Sequence, residues 1–376
     1  MAKKILVLSA SVGAGHIRAA QALELALKEL APPDDTIQNV DVLTLSTASF
    51  RKIYRQSYLE MVNKAPHLLG FFYDRLDQPV SKSENWLTKL GLVVEKANLK
   101  GLVKLLQEPW DLVVNTHYLP TEILASMRRK QQSKLEQFCV TTDFDTHRLW
   151  VHDPVERYFC ALEDGKKYLE SFGVPEKKIT VTGIPIHPVF SKPKDRVTIL
   201  KAHGIQGDRP VILQLAGGFG VGPVGDIYKS LLEIQQPLEI VVVAGKNEDA
   251  QKALKKIKVP PRHLTHILGF TDKMDELLVA ADVVLSKPGG LTVSEALARG
   301  AAFAILNPIP GQETHNSDYL LENGAAIKIQ NIPTLQLKLG ALLADKERLA
   351  SLKRNAARIS HPDAAYVIAR EALAWK

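Results

Sequence analysis

The feature that most limits the fold is a series of short, almost wholly apolar segments, each ending in glycine or small polar residues and followed by a helical pattern. The first is KILVLSA, Lys4–Ala10; alanines and leucines from Ala19 to Leu30 follow it, and Pro32-Pro33 ends that helix. NVDVLTL, DLVVNT and QFCVTTD come next. VILQLAGG (Val211–Gly218), EIVVVAG (Glu239–Gly245), HILGF and DVVLSKPGG repeat the arrangement in the second half. These runs are rich in Val, Ile and Leu and do not alternate with polar residues. A sheet with both faces covered produces that pattern. Strands alternating with helices predict an α/β fold with parallel, doubly wound sheets. A chain of 376 residues exceeds one ordinary core. The proline-rich IPIHPVFSKPKDR and the charged stretch up to Pro210 mark a boundary. We therefore expect two Rossmann-like domains, 1–190 and 191–376, with a cleft between them.

Composition narrows the setting. The net charge is +7, spread along the chain without an arginine-rich tract or a zinc-finger or RNA-recognition signature, so nucleic acid is the weakest of the anionic partners. No stretch approaches the length of a membrane span. The apolar run at the amino terminus is too short for a signal segment. Two cysteines, Cys139 and Cys160, cannot build a disulfide framework, and the expected compartment is the cytoplasm.

Residues Ser49–Leu106 break the pattern. They mix basic residues with Phe50, Tyr54, Tyr58, Met61, Phe71, Phe72 and Tyr73, and then run into the amphipathic ENWLTKLGLVVEKANLKGLVKLL. Such an insertion suits a bilayer interface. On composition alone it suits better a helical cap whose apolar face covers the sheet.

Chemistry-bearing residues fall at strand ends. The first strand runs into Ser11-Val12-Gly13-Ala14-Gly15-His16, a glycine turn opening a helix. Gly13 and Gly15 let the backbone turn tightly and let a ligand approach. The dinucleotide fingerprint is incomplete and the P-loop lysine is missing. His16 sits where the positive end of a helix favours neutral imidazole, as a general base or merely as a packed turn residue. Asp143 and His147 follow another strand; they suit a cleft or loop caps, and a metal would want a third ligand that the spacing does not supply. Gly217, Gly218 and Gly220 expose backbone amides after the first strand of the second half, as an anion site or as a plain turn. In SKPGGLTVSEA, Gly289 and Gly290 turn into a helix whose amino end suits a diphosphate, and Glu295 suits a ribose diol. Gln312 and Glu313, in PGQETHN, suit sugar hydroxyls.

Taken together, SASVGAGH, TDF..H..WVH, TGIPIHPVF, LSKPGGLTVSEALARG and PIPGQE...N...LENGAA resemble the bacterial processive diacylglycerol glucosyltransferases and the plant-type monogalactosyldiacylglycerol synthases. They are similar, more distantly, to the peptidoglycan lipid-intermediate N-acetylglucosaminyltransferase. The resemblance spans nearly the whole chain and departs from it slightly in reading GAGH where some members read GGGH. It implies a glycosyltransferase B fold, a first domain for a diacylglycerol acceptor and a second for the UDP-sugar, with the final helix returning to the first domain. It implies an inverting transfer of hexose from UDP-hexose to diacylglycerol, glucose before galactose, with neither cofactor nor metal. His16 matches the proposed base, and Asp143 is its competitor. Gly217, Gly218 and Gly220 match a diphosphate loop; Gly269, Phe270 and Thr271 match a uracil-lining segment. Gly289, Gly290 and Leu291 match a phosphate-facing turn, Glu295 a ribose contact, and Gln312 and Glu313 the sugar site. An acceptor within a bilayer implies peripheral association with the anionic inner face of the cell membrane, through Ser49–Leu106. The rivals are a transferase using a polyprenyl-linked acceptor and a lipid-binding regulator without turnover.

Overall fold

The computed structural model describes residues 2–52, 98–216 and 223–376. They form two compact units, each built on one parallel six-stranded sheet. The first unit comprises Met1–Pro188, Pro310–Gln312 and Pro362–Lys376; the second comprises Val189–Ile309 and Glu313–His361.

In the first unit the strands are β1 (Lys4–Ser9), β2 (Thr36–Asp41), β3 (Leu112–Asn115), β4 (Gln137–Val140), β5 (Arg157–Cys160) and β6 (Ile179–Val181), in the order β2-β1-β3-β4-β5-β6. Ile5 to Leu8 of β1 are completely buried, as the unbroken apolar run requires. On one face, Ala22, Leu23 and Ala26 of the helix Ala14–Leu30 pack with Ile368, Ala369 and Ala372 of the carboxy-terminal helix Ala364–Ala374. The Lys3 ammonium closes that helix by donating to the carbonyls of Leu373 and Trp375. On the other face, Leu99, Leu102 and Leu106 join Val42, Leu43, Ile123 and Leu124, with Phe50 packed against the cluster. Part of the segment that could dock at a bilayer is thus accounted for: Phe50, Leu99, Leu102, Val103, Leu105 and Leu106 lie against the protein core, and a Cβ on Gly101 would meet Leu45. The heart of that segment, 53–97, lies outside the described residues. NVDVLTL, expected as a strand, is divided: β2 ends at Asp41, whose carboxylate accepts from the Leu43 N–H at 3.1 Å and turns the chain into a 3₁₀ helix, Val42–Leu45.

The second sheet contains β7 (Val211–Leu215), β8 (Glu239–Val243), β9 (Leu264–Leu268), β10 (Val283–Ser286), β11 (Ala302–Leu306) and β12 (Ala326–Ile329), ordered β12-β11-β10-β7-β8-β9. Counted from β7, this is the 3-2-1-4-5-6 order of a doubly wound dinucleotide fold. Both sheets are α/β and parallel, as the sequence pattern predicts. Each has a switch point where strand order reverses, between β1 and β3 in one and between β7 and β10 in the other. Ligands in such folds bind outside the carboxyl ends of the strands at that point. Among the described residues no helix is long and apolar enough to cross a membrane.

Candidate active site

At the switch point of the first sheet, β1 ends at Ser9 and the chain reaches the helix Ala14–Leu30 through Gly13, its N-cap. The turn is pinned by Asp41, which accepts from the Ser11 N–H at 3.0 Å. Gly13 is extended (φ −140°), and a Cβ added there would meet nothing within 4 Å. The expectation that Gly13 serves a tight backbone turn is therefore corrected: the backbone there suits any residue, and what glycine leaves is open space.

His16, the third residue of the helix, is fixed by the end of β3. Thr116 continues the ladder through its N–H to Leu8 O at 2.9 Å. Its hydroxyl donates to the His16 carbonyl at 2.9 Å, and its own carbonyl lies 3.1 Å from His16 Nδ1. A carbonyl only accepts, so Nδ1 carries the proton and Nε2 keeps its lone pair. The Thr142 hydroxyl, 2.7 Å from Nδ1, is then a second acceptor for the same N–H. Burial pushes the His16 pKa down to about 4, partly offset by the Thr116 carbonyl, so the ring is neutral at pH 7. Its neighbours are His117 (ring centroids 4.6 Å apart) and Trp150 (6.1 Å).

The loop after β4 supplies Thr142 and, next to it, the buried Asp143. The structure thus brings the two expected catalytic positions to one sheet edge, with Thr142 as the residue in contact with the ring. His147 turns inward: its Nδ1 accepts from the Leu149 N–H at 3.0 Å, capping a 3₁₀ turn.

In the second unit, β10 ends at Ser286, Lys287-Pro288-Gly289 make the turn, and the helix Gly290–Ala298 begins with no side-chain cap. Its first amides are left for another acceptor. Asn316, completely buried, fixes the turn by donating to Pro288 O at 2.9 Å. Glu313 Oε2 accepts from the Ile309 N–H at 2.8 Å, while its Oε1 would lie 3.8 Å from a Cβ on Gly289. Burial raises the Glu313 pKa; the Ile309 N–H and the Lys287 charge oppose that. Gly289, Gly290 and Glu313 are therefore neighbours. Leu291 is buried and contributes only its backbone to the turn; Glu295 is buried one turn further on. Gln312 opens the helix Gln312–Glu322. Gly217, Gly218 and Gly220 lie outside the described residues.

Gly269, Phe270 and Thr271 follow β9, the edge strand, three strand positions from β10. Phe270 is 70% exposed, with the Lys246 ammonium 5.4 Å from its ring centroid, and Thr271 accepts from the Lys273 N–H at 3.0 Å. Sequence reasoning gave no role to Thr116, Thr142, His117 or Lys287. Thr116, Thr142 and Lys287 are among the polar residues closing DLVVNT, QFCVTTD and DVVLSK, and His117 lies just past the first of these segments.

Two parallel sheets of this order, with an uncapped glycine turn at the second switch point, define the glycosyltransferase B architecture. MurG of Acinetobacter baumannii superposes with a TM-score of 0.62 at 16% identity, covering 98% of this chain and 99% of its own. A UDP-N-acetylglucosamine 2-epimerase gives 0.60 at 16% identity, covering 99% and 95%. The architecture alone therefore admits more than one chemistry. The sequence is more discriminating. Residues 16–186 match the monogalactosyldiacylglycerol (MGDG) synthase model, and residues 225–368 match the glycosyltransferase family 28 C-terminal domain. The processive diacylglycerol β-glucosyltransferase of Bacillus licheniformis is 30% identical over 94% of this chain and 90% of its own length. The chain belongs to the family of diacylglycerol glycosyltransferases.

Proposed function

We propose that this protein transfers a hexose, glucose in the first instance, from UDP-hexose to the free hydroxyl of diacylglycerol, giving a β-glycosyl-diacylglycerol. The acceptor belongs to the first unit and the UDP-sugar to the second. The hydroxyl oxygen forms a bond to the anomeric carbon as the bond from that carbon to the diphosphate oxygen breaks. The proton of the hydroxyl goes to His16 Nε2, and UDP leaves with the bonding electron pair. Attack opposite the leaving group turns the α-linkage of the donor into a β-glycoside.

The observation that carries this reading is the fixed tautomer of His16. Its proton is held by Thr116 O, its free lone pair is on Nε2, and burial keeps the ring neutral. Leaving-group stabilisation falls to the amides of the helix Gly290–Ala298 and to Lys287, which together replace a metal. The three strand spacings from β10 to Phe270 amount to about 14 Å, a span suited to an extended nucleoside diphosphate. Glu295 is assigned to the ribose and Gln312 and Glu313 to the sugar. We place the protein peripherally on the inner face of the cell membrane, where its lipid acceptor resides.

The test is an assay with diacylglycerol in mixed micelles and radiolabelled UDP-glucose or UDP-galactose in parallel, resolved by thin-layer chromatography. A labelled glycolipid from UDP-glucose supports the reading. Label only from UDP-galactose reassigns the hexose. Label only with a polyprenyl phosphate acceptor overturns the acceptor, and label with no acceptor offered overturns the transferase.

A further inference from the structure

Two imidazoles stand side by side at the end of β3, and the reaction described above uses one of them. His117 follows Thr116 and caps the helix Tyr118–Arg129: its Nδ1 accepts from the Leu119 N–H at 3.0 Å. That nitrogen therefore carries the lone pair, and the proton of the ring is on Nε2, directed away from the helix it caps. His16 has the opposite arrangement, with Nδ1 protonated and Nε2 free. Burial, with the charge of His16 as a smaller cause, holds the His117 pKa well below its ordinary value, so this ring too is neutral and its N–H is a fixed donor. Among the described residues Nε2 of His117 has no hydrogen-bond partner. The two ring centroids are 4.6 Å apart at an interplanar angle of 77°. Tyr118, at 4.2 Å from the His117 centroid, and Trp150, at 6.4 Å, add an aromatic wall.

Two adjacent neutral rings thus offer one acceptor and one donor beside an apolar surface. They complement a molecule that has a hydroxyl to give and, on the next carbon, an oxygen to receive. Diacylglycerol has that pairing: the free hydroxyl and the carbonyl of the neighbouring acyl ester. We propose that His117 recognises the acceptor, its Nε2–H donating to that ester carbonyl oxygen while His16 Nε2 takes the proton of the hydroxyl. This rests on the transferase reading above.

The experiment measures KM and kcat of the wild type, His117→Asn and His117→Gln with UDP-glucose and two acceptors in mixed micelles: diacylglycerol, and a dialkylglycerol whose ethers lack the carbonyl. The Asn oxygen takes the place of Nδ1 and keeps the helix cap, but no donor reaches the acceptor. The Gln amide places an N–H near the position of Nε2. His117→Asn is expected to raise KM for diacylglycerol about tenfold, the value of one neutral hydrogen bond, with kcat and the KM for UDP-glucose little changed. The wild type should show a similarly raised KM for the ether, and His117→Asn should raise it no further. His117→Gln should recover part of the loss. An equal rise on both acceptors, or a fall in kcat at constant KM, overturns the assignment. If neither variant folds by thermal melting, equal wild-type KM values for ester and ether overturn it on their own. A wild type inactive on diacylglycerol overturns the transferase reading and the inference with it, and this is visible before any substitution is made.

Discussion

The carboxyl edges of the two sheets are built alike and furnished in opposite ways. Each has a strand running into a glycine N-cap without a side-chain cap, at Gly13 and at Gly289. The first edge gathers neutral rings: His16, His117, Tyr118 and Trp150, with burial holding both imidazoles unprotonated. The second gathers charge, with the Lys287 ammonium near the half-buried Glu313 carboxyl and uncapped amides beside them. The difference teaches how one sheet architecture is adapted to two tasks. Surroundings that disfavour cations keep the resting base unprotonated and free to accept. A departing diphosphate gains from fixed positive charge. Breaking the two edges separately should therefore give separable defects.

The largest expected effect lies at the first edge. His16→Ala should lower turnover by a factor of about 10² to 10⁴. UDP affinity by calorimetry should stay as in the wild type, because the substituted ring belongs to the first unit. Asp143→Asn is the companion variant: if it abolishes turnover while His16→Ala retains most of it, the two roles are exchanged.

At the second edge, Lys287→Met keeps the aliphatic stem and removes the charge. A hydrogen bond to a charged group contributes about 1.5–3 kcal/mol, so UDP should bind roughly 10- to 150-fold more weakly, and the effect should shrink with salt. Glu295→Ala should cost about 1–3 kcal/mol of UDP affinity if a buried hydrogen-bonded pair with the nucleotide is lost. Unchanged UDP affinity in both would leave the second edge without its assigned ligand.

The pH profile separates the edges without mutation. The neutral form of His16 is the active one, and its pKa is lowered to about 4. The acid limb of kcat/KM should therefore fall near pH 4, and the profile should be level between pH 7 and about 5. A limb centred at 6.5 would mean that the ring is not desolvated in the working enzyme. The same shifts predict a stability change. The unfolded chain takes up protons on these histidines near pH 6.5, while His16 and His152 in the folded state resist until about 4. Folding stability should decline as pH falls through that window.

How far the sequence discloses this contrast depends on the element. The central strands declare themselves because burial on both faces demands unbroken Val, Ile and Leu, as at Ile5–Leu8 and Val283–Leu285. Short β5 and β6 do not, since RYFC and ITV are too brief to stand out from helical and loop sequence. The glycine turns and His16 are legible because glycines and a histidine stand out directly after an apolar run. Thr116 is not, although all three of its polar groups are used: its link to His16 joins positions 100 residues apart and exists only once β3 lies beside β1. Lys287 is visible in the motif, but its influence on Glu313 depends on Asn316 holding the intervening turn.

The smallest expected effect is also the sharpest test of the comparison. Gly13→Ala and Gly289→Ala each add one methyl group at equivalent places on the two edges. Neither glycine has a positive φ, and the added carbon would meet nothing within 4 Å at Gly13 and only Glu313 Oε1 at 3.8 Å at Gly289. Both variants should fold with thermal stability unchanged or raised by up to about 1 kcal/mol, because alanine narrows the unfolded ensemble. Gly165→Ala is the contrasting control, since its methyl would lie 2.5 Å from Thr146 Oγ1 and should destabilise by about 1–3 kcal/mol through overpacking. With stability held constant, any loss in the first two variants reports on ligand and not on backbone. Gly289→Ala should weaken UDP and leave the KM for diacylglycerol alone, whereas Gly13→Ala should do the reverse. If both variants bind and turn over normally, the open space at these glycines has no ligand to admit, and the two edges are alike only in how their helices begin.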